Sequence, residues 1–170
     1  KSTLVDIILG LLEPTNGFVK VDGKNIELNL RNWQDRIGYV PQVIFLTDDS
    51  LRRNVAFGLA DKQIDELAVQ YAIEAAELNE FVNSLPSGLD TEVGENGVRL
   101  SGGQRQRIGI ARALYQNPSV LVLDEATAAA DAENEVAIQD ALSKFAKGRT
   151  LLVIAHRLDT IMHADHIIVV

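Results

Sequence analysis

Apolar residues along this chain fall into two patterns, short continuous runs and stripes at helical spacing. Val120–Leu123 and Leu151–Ile154 are short and wholly apolar, as expected of central parallel strands covered on both faces. Phe18–Val21 and Arg36–Val40 read as further strands, the first followed by the turn at Asp22-Gly23 and the second stopped by Pro41. Ser2–Leu12 predicts a helix, ended by Pro14 and the turn Thr15-Asn16-Gly17. Ile64, Leu67, Ala68, Tyr71, Ala72 and Ala75 recur at helical spacing, so Tyr71 is expected in the core or half-buried. Ile138, Ala141, Leu142 and Phe145 give a later helix its buried stripe. Between Phe45 and Arg99 little resembles a strand, which predicts a helical insertion. Strands alternating with helices make this an α/β domain with a largely parallel sheet.

Composition narrows the function. A chain of 170 residues, 46% apolar, has room for one core and is one compact domain. Its formal charge of −8 argues against a nucleic-acid scaffold, because phosphate backbones select a basic face. With no cysteine there is neither a disulfide, a thiolate metal site nor a cysteine nucleophile. No secretory leader is visible, and charges such as Asp6 and Asp124 interrupt apolar runs well short of the about 20 residues that span a bilayer. The chain opens on Lys1-Ser2-Thr3 and stops inside Ile167-Ile168-Val169-Val170, so it is expected to be a fragment cut through structure at both ends.

Candidate chemistry starts at Leu100-Ser101-Gly102-Gly103-Gln104, followed directly by Arg105-Gln106-Arg107-Ile108-Gly109-Ile110-Ala111-Arg112-Ala113-Leu114. A serine and two glycines ahead of a helix place a hydroxyl and backbone N–H groups at a positive dipole end, a site for a phosphate. A bare Ser-Gly-Gly is usually an ordinary turn. The full run is more specific, and it resembles the signature motif of ATP-binding-cassette (ABC) ATPases. Val120-Leu121-Val122-Leu123-Asp124-Glu125 is a buried strand with two adjacent carboxylates at its C-terminal end, where open α/β sheets bind ligands. One carboxylate can offset a metal's charge while the other accepts a proton. Asp-Glu after a core strand can also simply cap a helix. Lys1-Ser2-Thr3, read alone, fits an exposed terminus as well as a phosphate clamp.

The resemblance runs from Lys1 to Val170 and assigns roles in order along the chain. It implies a P-loop NTPase-like ABC ATPase core with a helical subdomain at about 44–115 inserted in a RecA-like core, the whole a single partial domain over 1–170. Lys1-Ser2-Thr3 resembles the tail of a Walker A loop, with Lys1 on the ATP phosphates and the Ser2 hydroxyl on Mg²⁺. Asp124 and Glu125 resemble a Walker B pair, Asp124 holding Mg²⁺ and Glu125 polarising the attacking water. Gln42, after Gly38-Tyr39-Val40-Pro41, resembles the Q-loop glutamine that senses Mg²⁺ and the γ-phosphate. His156, straight after the strand Thr150–Ala155, resembles the switch histidine, while His163 and His166 are read as structural. Ala128-Ala129-Ala130-Asp131 resembles a D-loop but departs from the usual Ser-Ala-Leu-Asp at Ala128 and Ala130.

Two such domains are implied to pair head to tail around two ATP molecules. Lys1, Ser2, Gln42, Asp124, Glu125 and His156 of one copy then face Ser101, Gly102, Gly103 and Gln104 of the other. Thr91–Gly97 resembles the exporter segment that lies near the coupling helices of the transmembrane domains. Leu4–Pro14 and Phe45–Asp49 look most like bacterial exporters of polysaccharide, lipid or lipid-linked oligosaccharide. The resemblance thus implies ATP-powered export, with the domain at the cytoplasmic face of the inner membrane and no nucleic-acid partner. The alternative is an ABC-type ATPase of DNA repair or chromosome maintenance, which would carry coiled-coil or DNA-clamp insertions. A non-hydrolysing binding module is a third reading, which Glu125 and His156 argue against. Because the family carries a strand and a glycine loop before the position of Lys1, the fragment alone is expected to bind ATP poorly and turn it over negligibly.

Overall fold

The computed structural model of the protein describes residues 2–94, 98–124, 138, 142–155 and 164–169. Its organising element is a parallel sheet in which β6 (Val120–Asp124) is flanked by β3 (Ile37–Val40) and β7 (Thr150–Ile154). Tyr39 lies opposite Val122, and Val122 opposite Leu152, with the register unbroken across all three strands. Side chains alternate between the faces of a strand, and the two faces of β6 are covered by different helices. Leu121 and Leu123, both essentially inaccessible, join the main core. Val122 joins a second cluster with Val5 and Leu9 on the other face. Those two residues lie on and just after α1 (Ser2–Ile8). The main core is organised by α6 (Gly102–Leu114), which packs on the sheet and on α3 (Leu51–Val55) and α4 (Glu66–Ala75).

Gly38 makes the α6 contact possible. A Cβ there would sit 2.6 Å from the Ala113 carbonyl oxygen and 2.9 Å from Pro118, so only glycine lets helix and strand approach this closely. Between β3 and α6 the regular elements among the described residues are mostly short helices. Besides α3 and α4 this stretch holds α5 (Asn79–Ser84), 3₁₀ turns, and one two-residue antiparallel pair of β4 (Asp49–Ser50) with β5 (Glu92–Val93). Ser50 caps α3 by accepting from Arg53 N, and Asp65 caps α4 by accepting from Leu67 N and Ala68 N. Arg52 bridges Asp90 and Glu66, and Arg53 bridges Asp49 and Asp61. Each of these pairs has at least one solvent-exposed partner, so screening leaves it little net stabilisation. Ile138, Leu142 and Phe145 are buried, as their spacing predicts, whereas Ala141 lies outside the described residues.

Four expectations need correction. α1 ends at Ile8 rather than Leu12. Gly10, at φ 70°, allows Leu11 N to donate to Asp6 O and Gly10 N to Ile7 O, a Schellman stop that acts before Pro14 is reached. The strand expected over 18–21 contracts to β1 (Lys20–Val21), which pairs with β2 (Lys24–Asn25) across a tight turn at Asp22 and Gly23, both at positive φ. Tyr71 is 44% exposed, because α4 turns Val69, Ala72 and Ile73 inward and leaves Leu67 and Tyr71 outside. α4 is apolar around more than half its circumference, so spacing alone could not choose the buried face. Finally, Leu151–Ile154 of β7 are only half-buried, because β7 is the edge of the described sheet and β6 its centre.

Candidate functional site

All three sheet strands run the same way, so their C-terminal ends share one edge. Asp124 is the last residue of β6 and lies opposite Ile154 near the end of β7. Val40 ends β3 opposite Leu123, and Pro41-Gln42 leaves the sheet there, with Gln42 exposed. The structure therefore brings Gln42 and Asp124 to one edge from separate elements. Glu125 and His156 follow β6 and β7 in sequence but lie outside the described residues, as do Lys1, Asp131 and part of the 91–97 segment. Ser2 and Thr3 open α1, with Thr3 exposed.

Tyr39 and Asp124 share the α1 face of the sheet, because Tyr39 is opposite Val122 and Asp124 is two residues beyond it. Partial burial, then the negative charges of Asp124 and Asp6, hold the Tyr39 phenol above its ordinary pKa. The oxygen donors at this edge suit a hard divalent cation such as Mg²⁺. Among the described residues no three His, Cys, Asp or Glu side chains cluster to hold a metal. An ion here would rest on one carboxylate plus hydroxyl, amide and phosphate oxygens, the usual setting for Mg²⁺.

Ser101 and its neighbours build a second locus. Ser101 is the N-cap of α6, its Oγ accepting from Gln104 N at 3.1 Å while Gln104 Oε1 accepts from Ser101 N at 2.9 Å. This capping box engages Gln104 internally. No helical carbonyl precedes Gly102 and Gly103, so their N–H groups face out of the positive end of the helix. Ser101 and Gly102 are exposed and Gly103 is buried. The helix, 13 residues long, measures about 20 Å at 1.5 Å per residue. The signature thus opens one end of α6, and the Ala113–Gly38 contact with the sheet lies at the other.

A third cluster was not evident from sequence. Arg112 donates to Asn54 O (2.8 Å), Phe45 O (2.9 Å) and Asn54 Oδ1 (3.2 Å) and lies over the Phe57 ring at 4.6 Å. Burial lowers its pKa. Asn54, fully buried, also accepts from Thr47 N and donates to Thr47 O, tying the stretch after Gln42 to α3. Val43 (78%), Phe45 (68%) and Phe57 (52%) are exposed on the segments these bonds join. An arginine inside the apolar run Ile108–Leu114 was the available signal.

The sequence model of the ABC transporter family matches residues 1–128. An ATP-dependent lipid A-core flippase of Ralstonia nicotianae is 47% identical across 99% of the chain, which spans 29% of that relative. An uncharacterised ABC transporter ATP-binding protein of Bacillus subtilis, YwjA, is 47% identical across 100% of the chain and 29% of its own length. Among solved structures, a bacterial Atm1-family ABC exporter with ATP bound superposes with a TM-score of 0.85 at 38% identity. That match covers 97% of the chain and 29% of the exporter. The chain thus spans under a third of the length of these relatives.

Proposed function

Because this chain belongs to the ABC transporter family, we propose that it binds and hydrolyses ATP to power export by a larger membrane protein. The observation that carries this reading is the meeting of Gln42 and Asp124 at the C-terminal sheet edge, combined with a capped Ser-Gly-Gly helix end placed elsewhere. At that edge Lys1, Ser2 and Thr3 hold the phosphates, Ser2, Gln42 and Asp124 hold Mg²⁺, Glu125 accepts the proton of the attacking water, and His156 contacts the γ-phosphate. Bound Mg²⁺ supplies charge neutralisation for the phosphates. Ser101, Gly102, Gly103 and Gln104 serve a second copy's nucleotide in a head-to-tail pair. Residues 44–115 act as a helical subdomain inserted in the nucleotide-binding core.

The transmembrane domains of the same transporter are the other partner. The exposed Val43, Phe45 and Phe57, held together by Arg112, offer them an apolar contact close to Gln42. Among the described residues no helix is long and apolar enough to cross a membrane. The working position is the cytoplasmic face. The flippase relatives favour a lipid or lipid-linked oligosaccharide as cargo, and DNA repair has no support among the relatives named above.

The complete protein in phospholipid vesicles is expected to hydrolyse Mg-ATP and to move a fluorescent lipid-linked saccharide only when ATP is present. Hydrolysis with transport of water-soluble cargo alone would overturn the lipid reading. Failure to hydrolyse ATP would overturn the whole proposal.

A further inference from the structure

We propose that Arg112 is a positioning residue for coupling, its guanidinium fixing the segment after Gln42 to the last turn of α6 so that the apolar docking face moves with the helix that opens at Ser101. This rests on the transmembrane partner proposed above, a part of the same protein for which there is ample length, the chain spanning 29% of the flippase relative. Residues 43–46 alternate: Val43 and Phe45 are exposed, whereas Ile44 and Leu46 are buried. Ile44 seats on α6 at Gly109, where an added Cβ would lie 2.4 Å from its Cδ1. Nearly one turn further along the helix, Arg112 Nη1 donates to Phe45 O at 2.9 Å, drawing that backbone inward while the ring stays outside. Nε and Nη2 of the same group donate to Asn54 O and Asn54 Oδ1, and its flat face lies over the Phe57 ring. Asn54 in turn accepts from Thr47 N and donates to Thr47 O, each at 3.0 Å. One side chain therefore gathers the segment after Gln42, the end of α3 and Phe57.

The chemistry requires an arginine. A guanidinium is a planar fork of five N–H donors, so it serves three acceptors in different directions while its face rests on a ring. A lysine ammonium carries the charge but has neither the plane nor the fork. All three acceptors are neutral amide oxygens, so dipoles rather than a carboxylate hold this partly buried charge. An apolar side chain would fill the space without the cost of desolvating a cation. It could not bind carbonyls on two separate segments. Along α6 the rise from Gly102 to Arg112 is about 15 Å at 1.5 Å per residue. A regular helix carries a displacement of one end to the other, so a shift of the Ser101 end displaces Phe45 and Phe57 with it.

Arg112→Lys and Arg112→Met are tested in the complete protein in phospholipid vesicles. ATP-dependent movement of a fluorescent lipid-linked saccharide is divided by the phosphate released. That ratio should fall by about 2–30-fold in both variants, the span of single-residue effects on coupling between sites. Partial misfolding lowers both quantities together and leaves the ratio in place, so the ratio separates positioning from stability. If Arg112→Met fails to fold, Arg112→Lys still decides, because it keeps the charge and most of the length. Hydrogen–deuterium exchange of Arg112→Lys should quicken across residues 43–57 while that of β6 matches wild type. A wild-type ratio in Arg112→Lys, or unchanged exchange across 43–57, would overturn the role of Arg112 alone. If the wild type hydrolyses ATP without moving the saccharide, the export reading fails and this inference falls with it.

Discussion

Glu125→Gln is expected to leave ATP binding intact and to lower hydrolysis by about 10²–10⁴-fold, the usual contribution of a positioned general base. In the proposed mechanism Asp124, the last residue of β6, serves the cation. Glu125, the next residue, is the group left to accept the proton. Glutamine keeps the shape and the hydrogen-bonding reach but cannot accept the proton. Binding of a fluorescent ATP analogue alongside phosphate release in the complete protein separates the two effects. Near-normal phosphate release would remove Glu125 from the mechanism.

The second large effect concerns the fold beneath the site. Leu121→Ala is expected to cost about 3–5 kcal/mol, the upper range for buried leucine truncations. Leu121 is fully buried in the main core, on a strand paired on both sides, and its Cδ1 would lie 3.0 Å from a Cβ placed on Gly38. A central strand held by both neighbours has little freedom to collapse into the gap, so the cavity persists. The loss is a large share of a domain's typical ~5–15 kcal/mol. Leu121→Met keeps most of the volume and should cost less than about 1.5 kcal/mol. Denaturant midpoints of the two variants check this. A Leu121→Ala loss below about 1 kcal/mol would mean that α6 does not seat on the sheet as described.

How much of this was legible beforehand depends on the range of the forces involved. The strands β3, β6 and β7 were readable because each is a short, mainly apolar run, although only the central β6 is buried on both faces. Gln42 and Asp124 were readable as edge residues because each follows such a run. The end of α1 was misjudged because Gly10 can be tolerated within a helix or can close one. Only the tertiary packing of Leu9, with the bonds to Asp6 and Ile7, decides between them. Tyr71 was misplaced because α4 offers two apolar faces and α6 selects one. The Arg112–Asn54 cluster joins residues far apart in sequence. Helix packing creates those contacts, and it is not written in local spacing.

The central claim is that two copies share each ATP, the carboxylates of one facing the Ser101 helix end of the other. It is tested most directly by measuring ATP hydrolysis in two purified heterodimers of the complete protein, each built from differently tagged copies. One pairs Ser101→Arg with Glu125→Gln, and the other pairs wild type with the Ser101→Arg/Glu125→Gln double variant. Sharing predicts substantial hydrolysis from the first, which retains one whole site, and almost none from the second, in which each site carries one lesion. The reverse result, with the first pair silent and the second active, would place each site within a single copy and contradict the account.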